Sequence, residues 1–146
     1  IHDHLGGKPP VVDLQHEKAL AELVHGASIQ GLIASAHDLS DGGLTQALVE
    51  STLRFGVGAR IWLNEIMERD QVDLTAALFS ESQGRMLISV GREDDVKFVG
   101  LCEARNIPVL RIGVTDGKEL DIQDVATWGL SELSQANYAT LPEIFG

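Results

Sequence analysis

A chain of 146 residues, 44% hydrophobic and 23% charged, is long enough to bury one real core. Its 22 acidic residues outnumber 11 basic ones for a formal charge of −11, and the basic residues are scattered singly, which argues against nucleic-acid and anionic-membrane partners. No apolar run approaches the roughly 18–20 residues that cross a bilayer, and Cys102, the single cysteine, forms neither an internal disulfide nor a thiolate cage, so a soluble, cytoplasmic protein with Cys102 packed as a small apolar side chain is expected.

The opening "HDHLGGKPPVVD" reads as an incoming linker over residues 1–12, with the domain at 13–146 and the whole as a fragment of a longer chain. His2, Asp3 and His4 are expected in a flexible terminal segment rather than in a metal site. Leu14, Ala19, Leu20, Leu23, Val24 and Ala27 give an apolar helical face over about 14–30, with Asp13 as N-cap and Gly31 near the stop. "LIASAHD" (32–38) reads as a short buried strand that delivers polar side chains at its carboxyl end. A second helix follows through Leu44, Ala47, Leu48, Ser51 and Phe55 until Gly56, and "VGARIWL" (57–63) alternates as a strand. "VDLTAALF" (72–79) is a two-turn helix, "SESQG" (80–84) a turn and "RMLISV" (85–90) a strand. "EDDVKFVGLCEARN" (93–106) is a helix with acids in its first turn and Arg105 near its end, matching the helix dipole. "VLRIGVTDGKELDI" (109–122) reads as a hairpin around "TDGK", and "SELSQANYATL" (131–141) closes the chain as a helix. The predicted class is α+β, a mixed β-sheet flanked by helices in a three-layer α/β/α arrangement, partly ferredoxin-like.

The informative stretch is "SAHDLSDGGLTQALVE" (35–50), where a histidine, two aspartates and a serine precede a glycine pair at a helix start. One account is structural: Asp41 or Ser40 caps the helix and the glycines relieve crowding. The other is functional: the glycines admit a ligand to the backbone, and the helix start attracts an anion. Carboxylates there repel a phosphate unless a divalent cation intervenes, and Mg²⁺ is typically shared between one or two carboxylates and substrate phosphates. On that account Asp38 holds the metal, Ser40 meets a phosphate or the metal's water, and Gly42 and Gly43 complete the nucleotide-binding turn.

The same stretch resembles the signature of the C-terminal domain shared by aminoimidazole ribonucleotide synthetase, selenophosphate synthetase and the phosphoribosylformylglycinamidine (FGAM) synthases. "HLGGKPPVVD", "LFSESQGRMLISV", "IPVLRIGVTDGKELDI" and "LPEIFG" extend the resemblance over essentially the whole chain and narrow it to the last domain of the FGAM synthase family's synthetase subunit. An aminoimidazole ribonucleotide synthetase-like domain is the nearest alternative. The resemblance implies a purine-pathway ligase that uses ATP and glutamine-derived ammonia, with Mg²⁺ and ATP or ADP as cofactors. It also implies sibling domains of the same chain, a glutaminase subunit and a small accessory subunit as partners. In the larger members, the residues matching Asp38 and Ser40 belong to a magnesium-nucleotide site. The first copy of the domain in that family uses a Glu-Ser-Gln turn on its substrate, which makes Glu81, Ser82 and Gln83 counterparts here, while a plain reading makes them a helix exit with Gly84 left-handed. Arg85 is open to a phosphate or to Glu81. The resemblance places the catalytic histidine in the N-terminal parts and no catalytic residue in this chain.

Other candidates read as structural. His16 and His25 sit near the solvent boundary of the first helix with no assigned role, and His37 reads as a hydrogen-bonded histidine that could also orient a carboxylate. Trp62 and Trp128 are packing or interface anchors. Two competing readings remain: a scaffold domain that docks on its siblings or on a second copy as a homodimer, and a divalent-metal hydrolase using His37 and Asp38.

Overall fold

The computed structural model describes the backbone of residues 11–145 and the side chains of 11–139. The expectations for His2, Asp3, His4 and most of the 1–12 linker lie outside the described residues. Helix α1 (Leu14–Ile29) begins where the Asp13 carboxylate accepts from the Gln15 and His16 amides at 2.9 and 3.1 Å and is followed by Gly31 at φ +70°. Its inward face, Leu23 and Ala27, packs with Phe98 and Cys102 of α5 (Asp95–Glu103). Cys102 is buried and its thiol pKa is raised by that burial, so it packs as an inert apolar side chain.

The main core lies elsewhere. Helix α2 (Gly43–Phe55) lays Leu44 and Leu48 against Ala59 and Ile61 of β2 (Ala59–Ile61) and Leu120 and Ile122 of β5 (Glu119–Ile122). Gly56, left-handed at φ 60°, ends it. Leu120 and Ile122 are 1% exposed, so truncating either would cost about 2–5 kcal/mol. Helices α3 (Asn64–Asp70) and α4 (Leu74–Phe79) follow β2, and Leu78 of α4 reaches the same core. Helix α6 (Leu130–Phe145) adds Leu133 after the short strand β6 (Ala126–Gly129).

The α+β class holds, with the strands divided between two sheets. Strand β1 (Ser35–Asp38) pairs antiparallel with β3 (Met86–Ser89), Asp38 facing Met86 across the ladder. The second sheet runs β4-β2-β5-β6, with β4 spanning Gly113–Thr115. Two expectations are corrected. Residues 32–38 do not form a fully buried strand: only 35–38 are strand, half-buried and exposed residues alternating, because β1 packs through one face of a two-stranded ribbon. Residues 109–122 are not a hairpin either. Strand β2 inserts between the two arms, antiparallel to β4 and parallel to β5. Gly58 makes this geometry accessible, since its N–H donates to Gly117 O and its carbonyl accepts from Asp116 N, and a β-carbon there would overlap the backbone of Glu119 and Asp116.

The carboxyl end of β1, the start of α2 and the loop before β3 meet at one rim.

Candidate functional site

Asp38 is the last residue of β1, so the strand carries it to the rim, where its side chain is 67% exposed. Ser40, Asp41 and Gly42 turn the chain into α2. With His37 and Asp38, these three residues line one wall of a cleft of about 550 Å³, and Gln46 and Glu50 of α2 complete it. The polar cleft residues thus include three carboxylates, and no lysine or arginine lines it.

Hydrogen bonds along this wall favour the charged forms of His37, Asp38 and Glu50. Asp38 lies below the usual carboxylate range, first through the Ser40 hydroxyl as hydrogen-bond donor, then through its own backbone amide and the nearby His37 charge. His37 is partly buried. Burial is the strongest single influence and lowers its pKa, but the Asp38 carbonyl, the Glu50 carboxylate and the Asp38 charge together leave it raised. Its Nδ1 lies 2.7 Å from Asp38 O and its Nε2 2.9 Å from Glu50 Oε2. Both ring nitrogens face acceptors, an arrangement satisfied in full only by the imidazolium. Gln46 Nε2 donates to the other Glu50 oxygen at 2.7 Å, and Gln46 first, then His37, lowers the Glu50 pKa. Near neutral pH the wall presents ionised oxygens, the hard donors that a divalent cation of the magnesium class takes.

The glycines divide their roles. Gly42 lines the cleft at φ 77°, and a β-carbon on it would come 2.7 Å from Gln46 Cβ. Gly43 instead faces the exit of α4, where a β-carbon would meet Ser80 O at 2.8 Å and Leu78 O at 2.9 Å, so its close approach is to protein backbone. The capping account is corrected: the N-cap position is Gly42, with no side-chain cap from Ser40 or Asp41. The Glu81 carboxylate accepts from the Gly42 amide at 2.9 Å.

The loop between α4 and β3 borders a second cleft, of about 270 Å³, that shares Asp38 and Ser40 with the first and is also lined by Glu81, Gln83 and Arg85. The sequence candidates of both stretches therefore meet at one rim. Arg85 does not pair with Glu81. Its guanidinium donates to the carbonyls of Ser80 and Ser82, and burial lowers its pKa. Ser82 Oγ accepts a 3.4 Å bond from Ser80 Oγ, Gln83 is exposed, and Gly84 is left-handed at φ 72°.

His16, given no role by the sequence, places Nε2 3.0 Å from Gly84 O and so docks α1 on this loop. Nothing local marks that contact across 68 residues. The Gln46–Glu50 pair was legible in principle as an i,i+4 couple on the helix that the glycines open. His25 is exposed, while Trp128 packs partly buried against the main core. Among the described residues no group of three or more His, Cys, Asp or Glu side chains could hold a metal ion by itself, and no helix there is long and apolar enough to cross a membrane.

Comparison with known proteins places this geometry in context. The chain is 61% identical over 151 residues to a "Phosphoribosylformylglycinamidine synthase subunit PurL" from Leifsonia xyli, covering 100% of this chain and 20% of that relative. The fold is similar to "Structure of PurLQS from Thermotoga maritima", with a TM-score of 0.75 and 23% identity over 85% of this chain and 22% of that one. It is likewise similar to "T. maritima PurL complexed with ADP", TM-score 0.71 and 21% identity over 85% and 22%. The chain thus spans about a fifth of the length of the relatives it matches. Residues 1–125 match the family described as "AIR synthase related protein, C-terminal domain", and the chain belongs to that family.

Proposed function

We propose that this chain is the C-terminal domain of an FGAM synthase synthetase subunit and contributes one wall of a magnesium-nucleotide site. The reaction of the whole enzyme converts formylglycinamide ribonucleotide, ATP and glutamine-derived ammonia to FGAM, ADP, phosphate and glutamate in the cytoplasm. What carries this reading is the 61% identity along the whole chain to a relative of that name. The donor set supports the cofactor: three carboxylates against one histidine, with no lysine or arginine in the lining, suit a polyphosphate when a divalent cation adds positive charge.

In this reading Asp38 holds Mg²⁺, and Ser40 offers its hydroxyl to a phosphate or to the metal's water. When bound, the metal supplies charge neutralisation between carboxylate and phosphate. Gly42 and Gly43 shape the turn, one toward the cleft and one toward α4. Gln83, on the neighbouring cleft, is the substrate-contact candidate that the geometry leaves most available, with Ser82 beside it. No catalytic group is assigned to this chain, so the domain acts with sibling domains, a glutaminase subunit and a small accessory subunit.

The test is a thermal melt of the intact synthetase subunit that carries this domain, with and without Mg-ADP. A ligand at a hundred times its Kd adds about 2.7 kcal/mol to folding stability, so wild type should gain several degrees, and gain nothing from ADP in EDTA. Asp38→Ala should abolish the gain and Ser40→Ala should reduce it. An undiminished gain in Asp38→Ala, or one indifferent to the metal, sinks the assignment. The chain alone should show no FGAM-forming turnover, and robust turnover would overturn the domain reading.

A further inference from the structure

Helix α2 opens without a cap of its own: Gly42 stands at the N-cap and brings no side chain. The partner for its amide comes from 39 residues away, the Glu81 carboxylate at 2.9 Å. The loop that carries Glu81 is held from three directions. Arg85 closes it onto the Ser80 and Ser82 carbonyls, His16 of α1 bonds Gly84 O, and Leu39 N donates to Arg85 O at 3.2 Å. The last of these contacts and the Glu81 bond grip the segment Asp38–Gly42 on either side of Ser40. Asp38 and Ser40 of that segment line both clefts.

We propose that Glu81 is a positioning residue for the Asp38–Ser40 rim. Its carboxylate holds the Gly42 amide, fixing the turn that presents both side chains, and does not itself contact a ligand. This goes beyond the nucleotide reading above, rests on it for its functional consequence, and differs from the substrate-contact role that the Glu-Ser-Gln resemblance implies. The requirement is an acceptor oxygen of the right reach. Gln offers one without charge, Ala offers none, and these two variants separate geometry from charge.

Mg-ADP is titrated calorimetrically into the intact synthetase subunit as wild type, Glu81→Gln and Glu81→Ala, and amide hydrogen exchange is followed at residues 40–43. The expected result is a Kd about tenfold weaker in Glu81→Ala, the order of effect of losing one charge-assisted hydrogen bond, with faster exchange at Gly42. Glu81→Gln should stay within about threefold of wild type on the same principle. An unchanged Kd in Glu81→Ala despite faster exchange overturns the proposal, leaving a cap that only stabilises. Glu81→Gln losing Mg-ADP as fully as Glu81→Ala also overturns it, since the charge would then act on the ligand. Failure of the nucleotide reading looks different: wild type itself ignores Mg-ADP. Exchange then decides, faster at 40–43 in Glu81→Ala than in Glu81→Gln upholding the positioning of the turn, and equal rates overturning it.

Discussion

Two turns of like composition meet at one rim and treat their charges in opposite ways. The turn 38–43 and the loop 80–85 each combine an acid, a serine and a glycine. Glu81 and Arg85 are committed to backbone groups, one capping α2 and the other closing its own loop. Asp38 receives help from Ser40 but remains exposed, ionised and free of any backbone group outside its own residue. A committed charge builds scaffold, whereas a charge kept ionised at the mouth of a cleft is available to something not in the chain. The difference lies in partners, not in residue type.

The largest expected effect breaks the join between the two regions. Gly43→Ala puts a β-carbon 2.8 Å from Ser80 O on a backbone at φ 61°. The combined strain and overlap should cost about 2–4 kcal/mol in urea unfolding. A cost under about 0.5 kcal/mol, the range of neutral surface changes, would show that α2 and the α4 exit are not in contact as described. Arg85→Ala comes next. Losing its bonds to two carbonyls should cost about 1–2 kcal/mol, and Arg85→Lys should not restore it, because a point ammonium cannot reproduce the fork that spans Ser80 and Ser82. Restoration by Lys would make Arg85 a simple charge, and the contrast between the two turns would blur.

A third measurement compares two aspartates directly. Asp13 and Asp38 both have pKa values held below the usual carboxylate range, Asp13 chiefly by the His16 and Gln15 amides that it caps, Asp38 chiefly by Ser40. Asp13→Ala should lower the melting temperature, because it strips a helix cap. Asp38→Ala should leave the melting temperature of the nucleotide-free chain nearly unchanged. Equal losses would mean that Asp38 is structural after all.

How much of this was visible in the sequence follows the range of the interactions. The caps at Asp13 and Gly56, the helices carried by apolar spacing, and the place of Asp38 at a strand's carboxyl end depend on neighbours within a few residues, and they read correctly. The insertion of β2 between β4 and β5 does not, since "TDGK" flanked by apolar residues looks like a hairpin wherever the intervening strand comes from. Helix α3 and strand β6 were missed because each is short and packs through one or two residues, Ile66 and Met67 in one and Trp128 in the other. At the site, the wrong capping partner was foreseen for the same reason. Ser40 and Asp41 are local, and Glu81 is 39 residues away. Resemblance supplied the residue types at the rim, but which charges are committed is a tertiary fact.

The smallest expected effect is a pH dependence on the cleft wall. His37 has a folded-state pKa raised above its ordinary value of about 6.5 despite the opposing pull of burial, through Asp38 O and the Glu50 carboxylate. A raised pKa means that the folded chain binds the proton more tightly than the unfolded one. The stabilisation is therefore complete below about pH 6.5 and fades as pH rises through the folded value. His37 is partly buried but Glu50 is exposed, so solvent screening should keep the contribution within about 1 kcal/mol. Glu50→Gln removes the charge while keeping an acceptor oxygen, and it should flatten this part of the stability profile without moving the contribution of Gly43 or Arg85. If the wild-type and Glu50→Gln profiles run parallel between pH 6 and pH 8, a window set by that reference value, the imidazolium does not draw on Glu50, and this wall contains one committed charge fewer than the geometry indicates.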